Sequence, residues 1–281
     1  MKKVLLMAIA IVTATNILGQ NKFPEGYFTD ETRPKDYDFI KAPPSLTGGD
    51  FANDFYYYRW GRKRRETEGV SEQAIFDESA QLYEVFSHKV LGFELNHETT
   101  PEILRLCERA VSDAIPANTT VKNIYQRQRP FATFNDPSLK PEEDIEEAKT
   151  FSYPSGHSTR GYIFALTLIT VMPELTTQIM ERAQEYAINR IICGHHWKSD
   201  IDASLLLASG VFANIVCTDE FQEQLIKARA EYQQIMNGTT GASALRMQPS
   251  AASQAYTIHG IQATDASRGI IIQNGQKAMR K

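Results

Sequence analysis

Apolar residues along this chain recur mostly at three- and four-residue spacing, the period of a helix that buries one face. From Ser71 to Leu91 they fall at positions 75, 76, 80, 82, 83, 86 and 90, which predicts one helix. Thr100-Pro101-Glu102 predicts the start of another, with a capping hydroxyl, a proline in the first turn and an acid near the positive helix end. That helix is predicted to run to about Ala114, and the next from Asn118 to Arg129, where Pro130 ends it. PSGHSTRG leads into an apolar helix that Pro173 stops. An amphipathic helix from Glu174 to about Gly194, a core helix from about Ser199 to Cys217 and a charged helix from Glu220 to Met236 complete the body. No alternating pattern interrupts this series, so the fold is predicted to be an all-α helical bundle.

The aperiodic stretches set the domain limits. Residues 20–54, rich in Pro, Gly, Asp and aromatics, read as an extended arm lying on the body. Residues 131–153, containing PEEDIEEAK, form a long, mostly polar connection, of a length that is usually functional or disordered. Asn237 to Gln254 has the Gly, Ala, Ser and Thr content of a flexible linker. After it, AYTIHGI and RGIIIQNGQKAMRK read as short strands, with Asn274-Gly275 placed for a two-residue hairpin turn. At the other end, Lys2 and Lys3 precede the uncharged run Val4 to Val12, and a short polar patch leads to Gly19. That is the layout of a secretory signal peptide. The expected organisation is therefore a signal peptide at 1–19, a helical domain at 20–236, a linker at 237–254 and a small β-rich tail at 255–281. Gly161 to Met172 and Ser204 to Cys217 are the most apolar later runs, and both are shorter than the ~20 residues of a spanning helix. They read as buried core helices, and no membrane span is expected.

Charge narrows the class of partner. The chain carries 30 basic and 34 acidic residues. Lys2 and Lys3 contribute +2, and the tail, with Arg246, Arg268, Lys277, Arg280 and Lys281 against Asp265, contributes +4. Residues 20–236 therefore hold about −10, which argues against nucleic acid as a partner. The basic run Arg59, Arg62, Lys63, Arg64 and Arg65 is followed at once by Glu66 and Glu68 and reads as a solvated helix face. Cys107, Cys193 and Cys217 allow at most one internal disulfide and lack metal-site spacing, so small buried apolar roles are expected among them.

Three short stretches could carry chemistry. In NRIICGHHWKSDID, His196 and Asp200 are i, i+4 neighbours if the stretch is helical. A carboxylate there can hold one ring hydrogen and leave the other nitrogen free as nucleophile or base. His195 has Ser199 at the same offset and reads as lining the entrance or facing outward. In PSGH, Ser155 and Gly156 place amides at the positive end of a helix, a ready anion site, with His157 in its first turn. In KNIYQRQRP, Lys122 and Arg129 lie two turns apart, on one face of the predicted helix, and could hold phosphate-like oxygens. Arg190 adds a cation before His196. Each stretch alone also has an ordinary structural reading: a capping contact, a plain helix start, a solvated basic helix.

Taken in order, Lys122-x6-Arg129-Pro130, Pro154-Ser155-Gly156-His157 and Arg190-x5-His196-x3-Asp200 resemble the three-part signature of the phosphatidic acid phosphatase type 2 superfamily, which includes vanadium-dependent haloperoxidases. FSYPSGHS and CGHHWKSDID are similar to the signatures of the bacterial class A non-specific acid phosphatases, and the likeness covers roughly residues 40–230. Asn189, Phe151 and Ser158 depart from the family pattern, where Ser, Gly and Thr usually stand. The resemblance implies that His196, oriented by Asp200, attacks phosphorus to form a phosphohistidine. It implies that His157 protonates the leaving oxygen and then activates water, and that Lys122, Arg129, Arg190, Ser155 and the Gly156 amide hold the phosphate. It further implies phosphate monoesters as substrates, activity at mildly acidic pH, inhibition by vanadate or inorganic phosphate, no metal or other cofactor, and a homodimer in the periplasm. The alternatives on the same residues are a vanadate-dependent haloperoxidase and a non-catalytic exported binding protein. A metal site from His195, His196, Asp200 and Asp202 is disfavoured, because adjacent helix residues diverge by ~100°.

Tyr256-x-Ile258-x-Gly260, then Arg268-Gly269-Ile270-Ile271-Ile272-x-x-Gly275-x-Lys277, resembles the sorting tails of Bacteroidetes proteins exported by the type IX system. That likeness implies a cell-surface or secreted destination, with the tail as an address.

Overall fold

The computed structural model describes residues 23–87 and 90–238 together with the backbone of three short strands in the tail. The expected signal peptide, and the linker beyond residue 238, lie outside the described residues. Among the described residues ten α-helices follow one another: α1 Phe51–Arg64, α2 Val70–Ser79, α3 Leu82–Phe86, α4 Pro101–Tyr125, α5 Pro130–Phe134, α6 Asp144–Glu147, α7 Gly156–Val171, α8 Thr176–Cys193, α9 Lys198–Ile215 and α10 Asp219–Met236. The strands Tyr256–Thr257, Gly269–Gln273 and Gln276–Arg280 pair antiparallel in chain order. Gln273 lies opposite Gln276; the turn expected at Asn274-Gly275 lies outside the described residues. The body is all-α, as the periodicity predicts.

The apolar helix α7 lies at the centre, packed against α4, α8, α9 and α10. A helix apolar on every side is stable only when covered on every side. Phe164 stacks on Phe86 with ring centroids 5.4 Å apart, both rings fully buried, so truncating it to alanine should cost about 3–5 kcal/mol. Gly161 is the point of closest approach to α8: a Cβ there would lie 2.6 Å from the Tyr186 ring. The arm over residues 23–50 is irregular and tied to the body by Tyr27 N–H to Asp113 (2.7 Å) and by Tyr125 and Tyr153 hydroxyls to the carbonyls of Ile40 and Lys41. Among the described residues no single helix is long and apolar enough to cross a membrane; α9 and α10 pass that test only together, across a 96° bend.

Four local expectations are corrected. The segment 101–125 is one helix that runs through Pro116, because Ile103, Cys107, Ala110, Ala114, Ala117 and Val121 form one unbroken buried stripe. Packing along that stripe outweighs the hydrogen bond that proline removes. Thr100 does not cap this helix: its hydroxyl is engaged with Asn96, and the Glu231 carboxylate of α10 accepts from the Glu102 and Ile103 amides instead. The predicted helix at 71–91 is two helices, broken where Ala80 and Gln81 are extended and Glu84 caps the Gln81 amide. On α2 Ile75 and Phe76 are exposed and Asp77 is turned inward, while Leu82, Phe86 and Val90 are buried as the pattern predicts. Finally, Arg62 and Arg65 are not solvated. Arg62 binds Asp136 and Arg65 donates to the Ile192 carbonyl, pinning α1 to the loop after α5 and to the last turn of α8. Arg59, Lys63 and Arg64 are exposed as expected.

Candidate active site

The three chemistry-bearing stretches meet at one end of α7. Ser155 caps that helix, its hydroxyl accepting from the Ser158 amide at 3.2 Å, while its own amide donates to the Asp200 carbonyl. The Gly156 and His157 amides open the helix and have no intrahelical acceptor. Asn118 of α4 fixes this loop through the Pro154 carbonyl and the Thr159 hydroxyl. One turn on, Lys122 passes beside Gly156, and its ammonium donates to the Phe151 carbonyl.

The chain then leaves the helix. Gln126 adopts a left-handed conformation at φ 46°, so Lys122 and Arg129 do not share a helical face as the spacing predicts. Arg129 stands beyond the end of α4, just before α5, and reaches the cluster from another direction. Its Nη1 lies 3.1 Å from His196 Nε2 and donates to the His195 carbonyl at 3.2 Å. Its other donors meet the Thr150 hydroxyl and the carbonyl and carboxylate of Glu147. The acidic connection, notable in the sequence only for its length, thus lies against Arg129, one of the arginines the motifs single out.

His196 reaches Asp200, at 3.2 Å from Nδ1 to Oδ2, by a route the helical reading missed. α8 ends at Gly194, whose φ of 88° suits glycine, and α9 begins only at Lys198. The contact therefore closes across the first turn of α9, where Asp200 also accepts the Trp197 amide at 2.8 Å. Asp200 Oδ1 accepts from Arg127 Nη1 at 2.7 Å, and Arg127 Nη2 binds Asp54 at 2.6 Å. Asp54 in turn holds the Ser199 amide and hydroxyl. The buried sequence Asp54–Arg127–Asp200–His196 fixes the ring. With a carboxylate as acceptor, the hydrogen is assigned to Nδ1, leaving a lone pair on Nε2.

His195 neither lines an entrance nor faces outward; its side chain is completely buried. Its Nδ1 accepts from Arg190 Nη2 at 2.8 Å, so it backs the arginine rather than contacting solvent. Arg190 also pairs with Glu78 of α2. His157 faces the same carboxylate, 3.8 Å from Nε2 to Glu78 Oε1. Asn189, one of the departures from the family pattern, points elsewhere: its amide donates to Asp77 at 2.7 Å, beside the buried Asp77–Arg182 pair. Phe151 is half-buried and enters the cluster through its carbonyl. Asp202 pairs with Lys198 on the surface, and among the described residues no group of three His, Cys, Asp or Glu is arranged to hold a metal ion.

Electrostatics follow from this crowding. Burial, then Arg129 and Lys122, hold His196 far below the ordinary histidine range, so its ring is neutral. Burial, then Arg160, His195, Arg129 and Lys122, press His157 in the same direction. Burial and Arg190 bring His195 to about 3. Burial and Arg129 lower Lys122 to about 7. Burial raises the Asp200 carboxyl, opposed by Arg127 and the Trp197 amide. The arrangement presents a neutral, oriented imidazole nitrogen to several converging cations, which suits capture of a phosphate-like anion. All eight residues singled out by the motifs are brought together, by direct contact or through Glu78. Sequence reasoning missed Asp54, Glu78, Arg127, Glu147 and Thr150. Arg127 had a signal, standing two residues before Arg129 in QRQRP; the isolated acids had none.

Residues 106–222 match the PAP2 superfamily. A non-specific acid phosphatase from Providencia stuartii is 35% identical over 214 residues, covering 74% of this chain and 86% of its own length. An acid phosphatase from Zymomonas mobilis is 30% identical over 195 residues, covering 68% of this chain and 73% of its own. The solved structure of a transmembrane PAP2-type phosphatidylglycerolphosphate phosphatase from Bacillus subtilis covers 60% of this chain and 95% of its own, at 19% identity and a TM-score of 0.34.

Proposed function

Since the chain belongs to the non-specific acid phosphatases of the PAP2 superfamily, and is an acid phosphatase, we propose that it hydrolyses phosphate monoesters through a phosphohistidine formed on His196. The observation that carries this reading is the His196 ring itself, held by Asp200 at Nδ1 with Nε2 turned toward Arg129. Arg129 donates to that nitrogen. A bound phosphoryl group gives Arg129 an oxygen to bind instead and frees the lone pair for attack. The Nε2–P bond forms as the ester P–O bond breaks, and the leaving oxygen takes its proton from His157. Neutral His157 then accepts a proton from water as the water oxygen attacks phosphorus, the P–N bond breaks and phosphate departs. Lys122, Arg129, Arg190, the Ser155 hydroxyl and the Gly156 amide hold the equatorial oxygens through both steps. These protein cations supply the neutralising charge, so no step calls on a metal. The proton donor must be charged, and burial and the surrounding cations press His157 below the ordinary histidine range, so turnover belongs at mildly acidic pH.

The curated relatives carry the name acid phosphatase, which favours ester hydrolysis over the halide-oxidising use of the same residues. Vanadate and inorganic phosphate, as phosphoryl mimics, are expected inhibitors. Export through the signal peptide, a periplasmic or cell-surface destination, the sorting role of the tail and a homodimer are further parts of the proposal. Their support is the sequence resemblance. The N-terminal mass of the mature protein tests the first of them, and light scattering in solution tests the last.

The test of the mechanism compares His196→Ala with His195→Ala on a generic phosphomonoester. His196→Ala is expected to abolish turnover. His195→Ala removes the acceptor behind Arg190, and is expected to raise KM and the phosphate inhibition constant while leaving measurable turnover. Loss of turnover in both, with folding and phosphate binding intact, overturns the assignment of His196.

A further inference from the structure

Every charged group pressing on His157 from around the site is positive or becomes so on protonation: Lys122 from α4, Arg129 from the segment after it, Arg160 from α7, and His195 from the loop before α9. A histidine so surrounded is a poor proton carrier unless an anion offsets them. Among the described residues one carboxylate lies within ion-pair distance of its ring, that of Glu78. Glu78 is on the inward face of α2, next to Asp77, and its side chain is only 5% exposed. One carboxylate oxygen is 3.8 Å from His157 Nε2; the other meets Arg190 and lies 3.3 Å from His195 Nδ1. His195 Nδ1 already accepts from Arg190, so the charge of Glu78 is directed at Arg190 and His157. The distance to His157 is short enough for strong attraction and too long for a hydrogen bond, so Glu78 acts on the ring as a charge rather than as a proton acceptor.

We propose that Glu78 is the positioning residue of the proton donor: it faces His157 with one carboxylate oxygen and Arg190 with the other, and so sets the general acid and one arm of the phosphate clamp together. The inference rests on the role given above to His157. Glu78 touches no reacting atom; it stabilises the imidazolium that gives its proton to the leaving oxygen. It also places a negative charge beside the clamp, so it weakens binding of phosphate while it assists departure of the alcohol. A residue that merely braced Arg190 would do the reverse, since its loss would weaken phosphate binding and leave the protonation of His157 alone.

The experiment measures Glu78→Gln and wild type on two substrates, an alkyl phosphate with a poor leaving group and p-nitrophenyl phosphate with a good one, across pH 4 to 8. General acid assistance matters for the first and little for the second. Glu78→Gln is expected to lose about 10²-fold in kcat on the alkyl ester and only a few-fold on the nitrophenyl ester. Its alkaline limb for the alkyl ester should move down by about one pH unit or more, and inorganic phosphate should inhibit as well as or better than in wild type. Glu78→Asp keeps the charge one methylene further back and should recover part of the limb. Equal losses on both substrates, an unmoved limb and weaker phosphate inhibition overturn the proposal. Should Glu78→Gln fail to fold, the limb of Glu78→Asp decides: a limb at the wild-type position overturns the proposal. His157→Ala on the same pair separates the two readings. If it too fails to discriminate the leaving groups, the role of His157 falls; if it discriminates and Glu78→Gln does not, only the role of Glu78 falls.

Discussion

Replacing Arg127 by alanine should show how firmly His196 is held, because this arginine lies behind the ring rather than at the phosphate. Its guanidinium is buried between two buried carboxylates, 2.6 Å from Asp54 and 2.7 Å from Asp200. Removing one partner of a buried pair leaves an uncompensated charge and costs about 3–5 kcal/mol. For a helical domain of this size each kcal/mol is worth about 2–4 °C in Tm, so at pH 7 the variant should melt roughly 10 °C below wild type. The loss depends on pH in a fixed direction. Burial already raises the Asp200 carboxyl in the presence of Arg127. Without the arginine it rises further, so the folded variant binds a proton that the unfolded chain releases above its ordinary carboxylate range. The penalty is therefore largest at neutral pH and shrinks as pH falls through the folded value toward 4. Turnover should drop by about 10²-fold, the scale of a roughly 1 Å misplacement of a reacting group. Thermal melts at pH 4 and 7, with kcat on a phosphomonoester, read both effects. A Tm within about 2 °C of wild type at pH 7, or a deficit equal at both pH values, refutes the linked network.

At pH 8 Lys122, with its value of about 7, is largely neutral, and a bound dianion will raise it. Calorimetry of phosphate binding in two buffers of different ionisation enthalpy should therefore show proton uptake at pH 8, and net release contradicts the clamp role of Lys122. Deleting residues 237–281 should leave phosphatase activity of the helical body intact and change only the protein's destination; a folded, inactive truncate sinks the reading of the tail as an address.

The sequence carried most of the helical order because the buried stripes are regular. Its failures fall where the chain serves the site. On α2 Ile75 and Phe76 face outward while Asp77 and Glu78 face inward, so counting the large apolar positions selects the wrong face. Arg129 was placed on a helix that ends at Tyr125, because nothing local marks the left-handed turn at Gln126. The His196–Asp200 pairing was legible from spacing alone, although its cause is the turn that opens α9 rather than a continuous helix. His195 was misjudged for the opposite reason: adjacency to His196 says nothing about burial, which comes from α8 ending at Gly194 and turning the ring back onto Arg190. Motifs locate the groups proposed to hold the anion; the residues behind them, Arg127, Asp54 and Glu78, become visible only once distant segments are brought together.

The most direct measurement of the central claim is to trap the covalent intermediate. Wild-type protein is mixed with a radiolabelled phosphomonoester, quenched within one turnover in alkaline denaturant, which preserves a phosphorus–nitrogen bond, and digested for peptide mapping. The account predicts acid-labile label on the peptide containing His196, absent from His196→Ala and present in His195→Ala. Label on another residue, or turnover at full rate with no covalent label, contradicts it.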